Sequence, residues 1–181
     1  MSNKSKLEGD WDALLSVLAK SPIKKAIDLT CNRVGIAAAA AVKKGIRDGA
    51  PGGKKFAPLS DFTKARKGST KPLIDNGDLL GSISHQVLSS NEVWVGALRG
   101  TRTKDGKDIV DIAAVHEFGT TIKVTPKMRG YLHSQGLHLA ASTQYIHIPE
   151  RSYLRATFES PEFKQKILDI AEDTIGAVFK P

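Results

Sequence analysis

The chain has 181 residues, 40% of them hydrophobic and 25% charged, and a formal net charge of +8. That length allows one sizeable core and is short for two. The single cysteine, Cys31, excludes an intrachain disulfide and a cysteine-rich metal site, and no run of the roughly 18 apolar residues that a membrane span requires is present.

The first residues lack the apolar stretch of a secretory signal, so a soluble, non-secreted protein is expected. Residues 1–27 read as an N-terminal helical extension. In it Trp11, Leu14, Leu15 and Leu18 recur at a spacing of three to four behind Asp10, a residue suited to capping a helix. Ser21-Pro22 then has the form of a cap and first-turn proline for a second, longer helix. Its apolar stripe is Ile23, Ile27, Thr30, Val34, Ala37, Ala41 and Ile46. The run of alanines through Ala41 makes the helix nearly smooth, which suits close packing against another element. Cys31 reads as a small residue beside the stripe, and Asp48-Gly49-Ala-Pro-Gly-Gly ends the helix.

Residues 50–71 show little periodicity and form a long basic loop or arm. Phe56 and Phe62 are apolar points in it, and Lys64, Arg66 and Lys67 concentrate its charge. Two readings fit: an arm that anchors on a partner, or local packing against the long helix. Asn76-Gly77 signals a turn, followed by a helical turn at Leu79 and Leu80 and an alternating strand through Ile83, His85 and Val87. Ser89-Ser90-Asn91 is a second turn, and Val93, Val95 and Ala97 alternate with Trp94, so the two strands predict an antiparallel hairpin. Residues 99–108 have no core pattern and read as an exposed loop carrying Arg99, Arg102, Lys104 and Lys107.

Ile112, Val115 and Phe118 predict a short helix stopped by Gly119. Ile122 and Val124 alternate as a strand, a weak helix follows Pro126 and breaks near Gly136, and Tyr145 to Ile148 is a strand ended by Pro149. Ser160-Pro161-Glu162 opens a last helix with Phe163, Ile167, Ile170, Ala171, Thr174, Ile175 and Val178 on one face. The sum is a single α+β domain over residues 1–181: an antiparallel sheet packed against long N-terminal and C-terminal helices, with extended assembly loops.

Chemistry is sparse. His116-Glu117 lacks the second histidine of a His-Glu-x-x-His zinc helix, since Thr120 stands at that position. His133 and His138 are five apart and share no helical face. No phosphate loop, dinucleotide fingerprint or nucleophile elbow is present. Asp75, Asp78, Asp111 and Glu117 could be drawn together as an acidic site for a hydrolase or nuclease. Two of them, however, sit in turns where aspartate serves the backbone. Arg151 reads as a partner for Glu117 or Glu150, fixed by its planar fork. No cofactor, metal or catalytic residue is called for.

Four segments occur in an order that resembles the virion-morphogenesis, or tail-completion, family of long-tailed bacteriophages. They are Lys71-Pro-Leu-Ile-Asp-Asn-Gly-Asp-Leu-Leu-Gly-Ser-Ile83, Val93-Trp-Val-Gly96, Ala113-Ala-Val-His-Glu-Phe-Gly119 and Ile148-Pro-Glu-Arg-Ser-Tyr-Leu154. The likeness reaches upstream to Phe56-Ala-Pro-Leu-Ser60, spans roughly residues 35–179, and leaves residues 1–27 and an enlarged 127–145 segment as departures. It implies a non-catalytic protein that completes the tail or joins it to the head–neck region. By analogy this is a homo-hexameric ring on the tail axis, terminator-like, with tail-tube and neck or connector proteins as partners. Such a protein is found in the host cytoplasm during assembly and in the virion afterwards.

By the same resemblance, Leu73, Gly77, Leu79, Ser82, Ile83, His116, Glu117, Phe118, Gly119, Pro149, Arg151, Tyr153 and Leu154 are fold-defining or assembly residues. Apart from the resemblance, if the 50–71 segment is an arm and not packed locally on the long helix, Phe56, Phe62, Lys64, Arg66 and Lys67 are its partner-contact residues. The loop bearing Arg99, Arg102, Lys104 and Lys107 is exposed or faces DNA, which supports a second reading, a sequence-independent nucleic-acid-binding protein.

Overall fold

The structure, a computed structural model, describes residues 22–67, 69–103 and 106–177. The N-terminal helix expected over residues 10–18, the capping role of Ser21, Lys104 and the end of the last stripe at Val178 all lie outside the described residues.

Helix α1 (Pro22–Asp48) starts with proline in its first turn and ends at Gly49, whose φ of 70° lets the Ala50 amide turn back onto the Gly45 carbonyl at 3.1 Å. Its buried face is Ala26, Gly35, Ala38, Ala39, Val42, Gly45 and Ile46. The predicted stripe is therefore rotated: Ala37 and Ala41 are half-buried and Ile23 is 43% exposed. The physical reason is that α1 touches the C-terminal helix on one side and a hairpin on the other, and small residues make both contacts. A Cβ at Gly35 would come within 2.5 Å of the His85 ring and 2.8 Å of Val93. Hydrophobicity scores glycine and alanine too weakly to register such a face.

After a single 3-10 turn (Pro51–Gly53) the 50–71 segment runs extended and then forms α2 (Asp61–Lys67). This helix carries no buried residue, which is why no periodic pattern announces it. Gly77, at φ 89°, leads into α3 (Asp78–Ser82), which passes directly into β1 (Ile83–Ser89). Strand β2 (Glu92–Ala97) pairs antiparallel with β1 in the register Ile83↔Ala97, His85↔Val95 and Val87↔Val93, with an irregularity before Ser89. Arg102 and Asp108 form an isolated bridge at the base of the 99–108 loop.

Helix α4 (Ile109–Phe118) is capped by Asp108, whose carboxylate accepts from the Val110 amide at 3.0 Å. Strands β3 (Thr120–Lys123) and β4 (Tyr145–Ile148) pair antiparallel, Thr120 with Ile148 and Ile122 with Ile146. Between them α5 (Pro126–Ser134) is capped by the Thr125 hydroxyl. The Arg129 guanidinium donates to the carbonyls of Leu139, Ala140 and Thr143, folding the segment after Gly136 back onto α5. Helix α6 (Leu154–Phe158) and helix α7 (Pro161–Gly176) close the described chain. The Ser160 hydroxyl caps α7 by accepting from the Phe163 amide.

The architecture is α+β, with the long helices α1 and α7 packed together and, among the described residues, two separate two-stranded antiparallel sheets. One core joins Ala39, Val42 and Ile46 of α1 to Leu73, Leu79, Ile83, Ala97, Ile109, Ala113 and Tyr153. Arg33 ties α1 to α7, donating to the Thr174 hydroxyl at 2.5 Å and to the Asp173 carboxylate at 3.0 Å.

Candidate functional site

Along α4 the buried positions are Ile109, Ala113 and Glu117, four apart, so they share one face and the carboxylate follows the apolar residues inward. Glu117 is 5% exposed. Its Oε1 accepts from the Ser152 hydroxyl at 2.6 Å and the Arg155 amide at 2.9 Å, and its Oε2 from the amides of Tyr153 at 2.8 Å and Leu154 at 3.0 Å. The first amides of a helix have no intrahelical partner. The N-cap residue of helix α6, Tyr153, offers no side-chain cap and the Ser152 hydroxyl accepts only from the Ala156 amide, so Glu117 caps the remaining amides from 36 residues upstream in sequence as measured to Tyr153. Burial raises the pKa of this carboxyl, but the Ser152 hydroxyl and the amides of Leu154, Arg155 and Tyr153 outweigh it and hold the group below its ordinary value.

Arg151 stands beside this clasp and is 6% exposed. Its amide donates to the His116 carbonyl at the end of α4 (2.8 Å), its Nε to the Ala57 carbonyl (2.8 Å) and its Nη2 to the Pro58 carbonyl (2.9 Å). The expected Glu117–Arg151 pair does not form. Three backbone amides and the Ser152 hydroxyl saturate the carboxylate, and the guanidinium fork turns to two carbonyls of the 50–71 segment. Nor does Arg151 take Glu150, which pairs with Arg155. Gly119 lets the chain leave α4 beside Glu150: its φ is 68°, and a Cβ there would sit 2.8 Å from the Glu150 amide nitrogen.

Next to the clasp lies a cleft of about 300 Å³ between α2, the 73–79 segment, Thr103, Lys107 and α4. Leu73, Leu79, Ile109 and Ile112 give it an apolar floor, and Lys67, Lys107, Arg151, Asp75 and Asp78 bring charge to its walls. His116 lines it too, and its buried Nδ1 has no hydrogen-bond partner. Burial, then the charges of Arg151 and Lys67, lower the His116 pKa from 6.5 to about 4, so the ring is neutral at physiological pH. Lys67 is also lowered, by burial first and by Arg151, with Asp75 acting against both.

The family model for phage virion morphogenesis matches residues 11–176, which is most of the chain. The chain belongs to that family. No curated protein and no solved structure matches it. The match begins inside the N-terminal stretch that the sequence motifs treat as a departure and includes the 127–145 segment.

The virion-morphogenesis motifs, scattered in sequence, converge in space. Leu73, Leu79, Ile83 and Tyr153 belong to the core, and Leu154 packs against it. Ser82 is buried and donates to the Leu79 carbonyl, while Gly77 provides the left-handed residue before α3. Leu73 itself has φ 60°, an uncommon backbone for leucine, held by burial of its side chain. Pro149 ends β4 just before the clasp. Phe118 is the exception: the predicted stripe puts it on the apolar side of α4, yet it is 69% exposed at the helix end. Apolar residues surround α4, so periodicity alone could not choose the face.

In the arm, Phe56 packs against the chain's own core, Lys64 pairs with Asp61, and Arg66 lies over the Tyr131 ring at 5.9 Å, while Phe62 is half-buried. Arg99, Arg102 and Lys107 are exposed, with Arg102 donating to the Gly106 carbonyl. Sequence reasoning missed Ser152 and the Ala57 and Pro58 carbonyls. Ser152 alone carried a signal, as a hydroxyl residue just ahead of a helix.

The acidic set does not assemble. Glu117 is consumed by the clasp and Asp111 is exposed, while only Asp75 and Asp78 reach the cleft. His133 and His138 do meet, edge to face at 4.3 Å, because the chain turns back at Gly136. Among the described residues no group of three or more His, Cys, Asp and Glu side chains is placed to hold a metal ion.

Proposed function

We propose that this virion-morphogenesis protein is a structural subunit of the phage tail, working as a ring on the tail axis at the tail–neck junction and closest in role to a tail terminator. In this reading six copies close the ring, tail-tube and neck or connector proteins flank it, and the chain performs no catalysis. The supporting observation is where the motif side chains spend their hydrogen-bonding capacity. Both oxygens of Glu117 are filled by four donors of its own chain, and Arg151 is held on its own backbone carbonyls. Such groups fix a shape, and the carboxylate has no oxygen left for a substrate. Apolar side chains are meanwhile displayed outward. Phe118 is 69% exposed, and Leu29 and Ile36, two turns apart on α1, are each 52% exposed, as interface residues would be.

The test is a reconstruction of the intact virion's tail–neck region together with the mass of the purified chain, alone and with tail-tube or neck proteins. A ring at that position containing this chain supports the proposal. A protein that stays monomeric and never associates with tails overturns it.

The exposed Arg99, Lys107, Lys54 and Lys55 support a lesser reading in which loops contact DNA without sequence preference. A steep loss of duplex binding with added salt is the expected mark of that contact, and no binding at low salt removes it.

A further inference from the structure

Arg151 carries a buried positive charge with no carboxylate within 4.0 Å among the described residues. Its hydrogen-bond acceptors are two neutral carbonyls. Burying an unmatched charge is unfavourable, and the cleft that Arg151 lines opens a route for an anion to reach it. Lys67 and Lys107 stand on the same walls. The two aspartates, Asp75 and Asp78, limit what that anion can be. A polyphosphate strand would bring several negative charges against both, whereas a single carboxylate needs only the cationic side. The apolar floor of Leu73, Leu79, Ile109 and Ile112 adds a preference for a carboxylate that comes with an aliphatic neighbour.

The chain offers that combination elsewhere. On α7, Leu168 is 54% exposed, and Glu172, one turn later on the same face, is exposed and without a partner among the described residues. Asp169 beside them is exposed and, among the described residues, accepts only from Gln165 within its own helix. Exposed Lys164 lies one turn before Leu168, so the acidic and aliphatic ridge occupies the second half of α7, from Leu168 to Glu172. It shares no residue with the cleft.

We propose that the cleft receives a carboxylate from a second copy of this chain, offered by Asp169 or Glu172 of α7, with Leu168 set against the apolar floor. The inference rests on the self-assembling reading above and names the contact through which it works. Cleft and ridge are different surfaces, so the contact is head-to-tail, the type that closes into a ring under rotation.

The experiment uses the full chain and follows self-association by sedimentation across a concentration series. Three variants are compared with the parent: Lys67→Glu with Lys107→Glu, Asp169→Lys with Glu172→Lys, and all four changes together. Lys67 also donates to the Lys71 carbonyl, so Lys107→Glu alone is a second probe that leaves that bond intact. Each pair should raise the dissociation constant by about tenfold or more, the four-fold exchange should recover most of that loss, and salt should weaken the parent's association. A cleft pair that keeps its melting curve and associates as the parent does overturns the proposal. So does failure of the combined exchange to restore association, loss of duplex DNA binding without any change in self-association, or a parent chain that is monomeric throughout. If the charge exchange behaves as described but the chain is absent from the tail–neck region, the functional reading fails and the contact stands.

Discussion

Replacing Glu117 by glutamine keeps the shape of the side chain and removes its charge and half of its accepting capacity. Four donors at 2.6 to 3.0 Å now converge on the carboxylate. The new amide must present an NH₂ group to two of them. The less costly orientation turns it toward Ser152 and Arg155, because the serine hydroxyl can reverse and accept while a backbone amide cannot. That leaves the Arg155 amide unpaired in a buried site, worth about 1–3 kcal/mol, and weakens the two bonds from Tyr153 and Leu154 by removing their charge assistance. The expected loss is roughly 3 kcal/mol at neutral pH. It is read from urea unfolding of parent and variant at one fixed protein concentration, since association also stabilises the fold.

The sign with pH follows from the direction of the shift. Glu117 has a folded pKa below its ordinary value, so its contribution is complete above the unfolded carboxylate pKa and is lost as pH falls through the folded one. The gap between parent and variant must therefore narrow in acid. A loss under about 1 kcal/mol at neutral pH, or a gap that does not change with pH, refutes the clasp as the source of stability.

His116 also responds to acid, over a higher range. Its folded pKa of about 4 lies below the ordinary 6.5, so the stability tied to the neutral ring is present above 6.5 and drains away as pH falls toward 4, up to roughly 3 kcal/mol. Denaturation midpoints measured across that window should fall in the parent and flatten in His116→Gln. Gly119→Ala forces an alanine into φ 68° with its Cβ against the Glu150 amide and should cost about 3 kcal/mol, whereas Gly130→Ala, in open space on α5, should raise the melting temperature slightly. Arg151→Lys keeps the charge but loses the fork that holds the Ala57 and Pro58 carbonyls. Amide hydrogen exchange should accelerate over residues 54–60 and remain unchanged in β1 and β2.

What the sequence disclosed tracks how local each signal is. The capping serine and proline of α7, the turn at Gly77 before α3, and the antiparallel hairpin of β1 and β2 are each carried by neighbouring residues, and each is found in the structure, although β1 does not keep its predicted alternation, since Val87 is exposed. The long helix was legible in extent, but its buried face is built from Gly35, Ala38, Ala39 and Gly45, residues that hydropathy ranks low. Helix α2 buries nothing and so left no pattern. The clasp was legible only in its ingredients. Glu117 stands out beside Phe118 and Arg151 near a segment end, which suggests an ion pair of Arg151 with Glu117 or Glu150. Apart from the Ser152 hydroxyl, the actual partners of Glu117 and Arg151 are backbone carbonyls, which every residue supplies, and backbone amides, which every residue except proline supplies, so they leave no trace in side-chain identity. Pairing the strands into two small sheets was likewise invisible, because alternation shows that a strand has two faces and does not name its neighbour.

Helix α6 has five residues, too few to persist without help in water. The Ala156 amide reaches the Ser152 hydroxyl, but the amides of Tyr153, Leu154 and Arg155 are satisfied only when α4 delivers Glu117, so the helix and the end of α4 must come together in one step. Arg151 adds the 50–71 segment to that same step, through one amide on His116 and a guanidinium on Ala57 and Pro58. Three pieces of chain that are distant in sequence are thus wired in series through adjoining residues. A partner that pulls on the arm pulls, by way of Arg151, on the seat of α6 and the wall of the cleft, so a load applied at one surface of the subunit is felt at another.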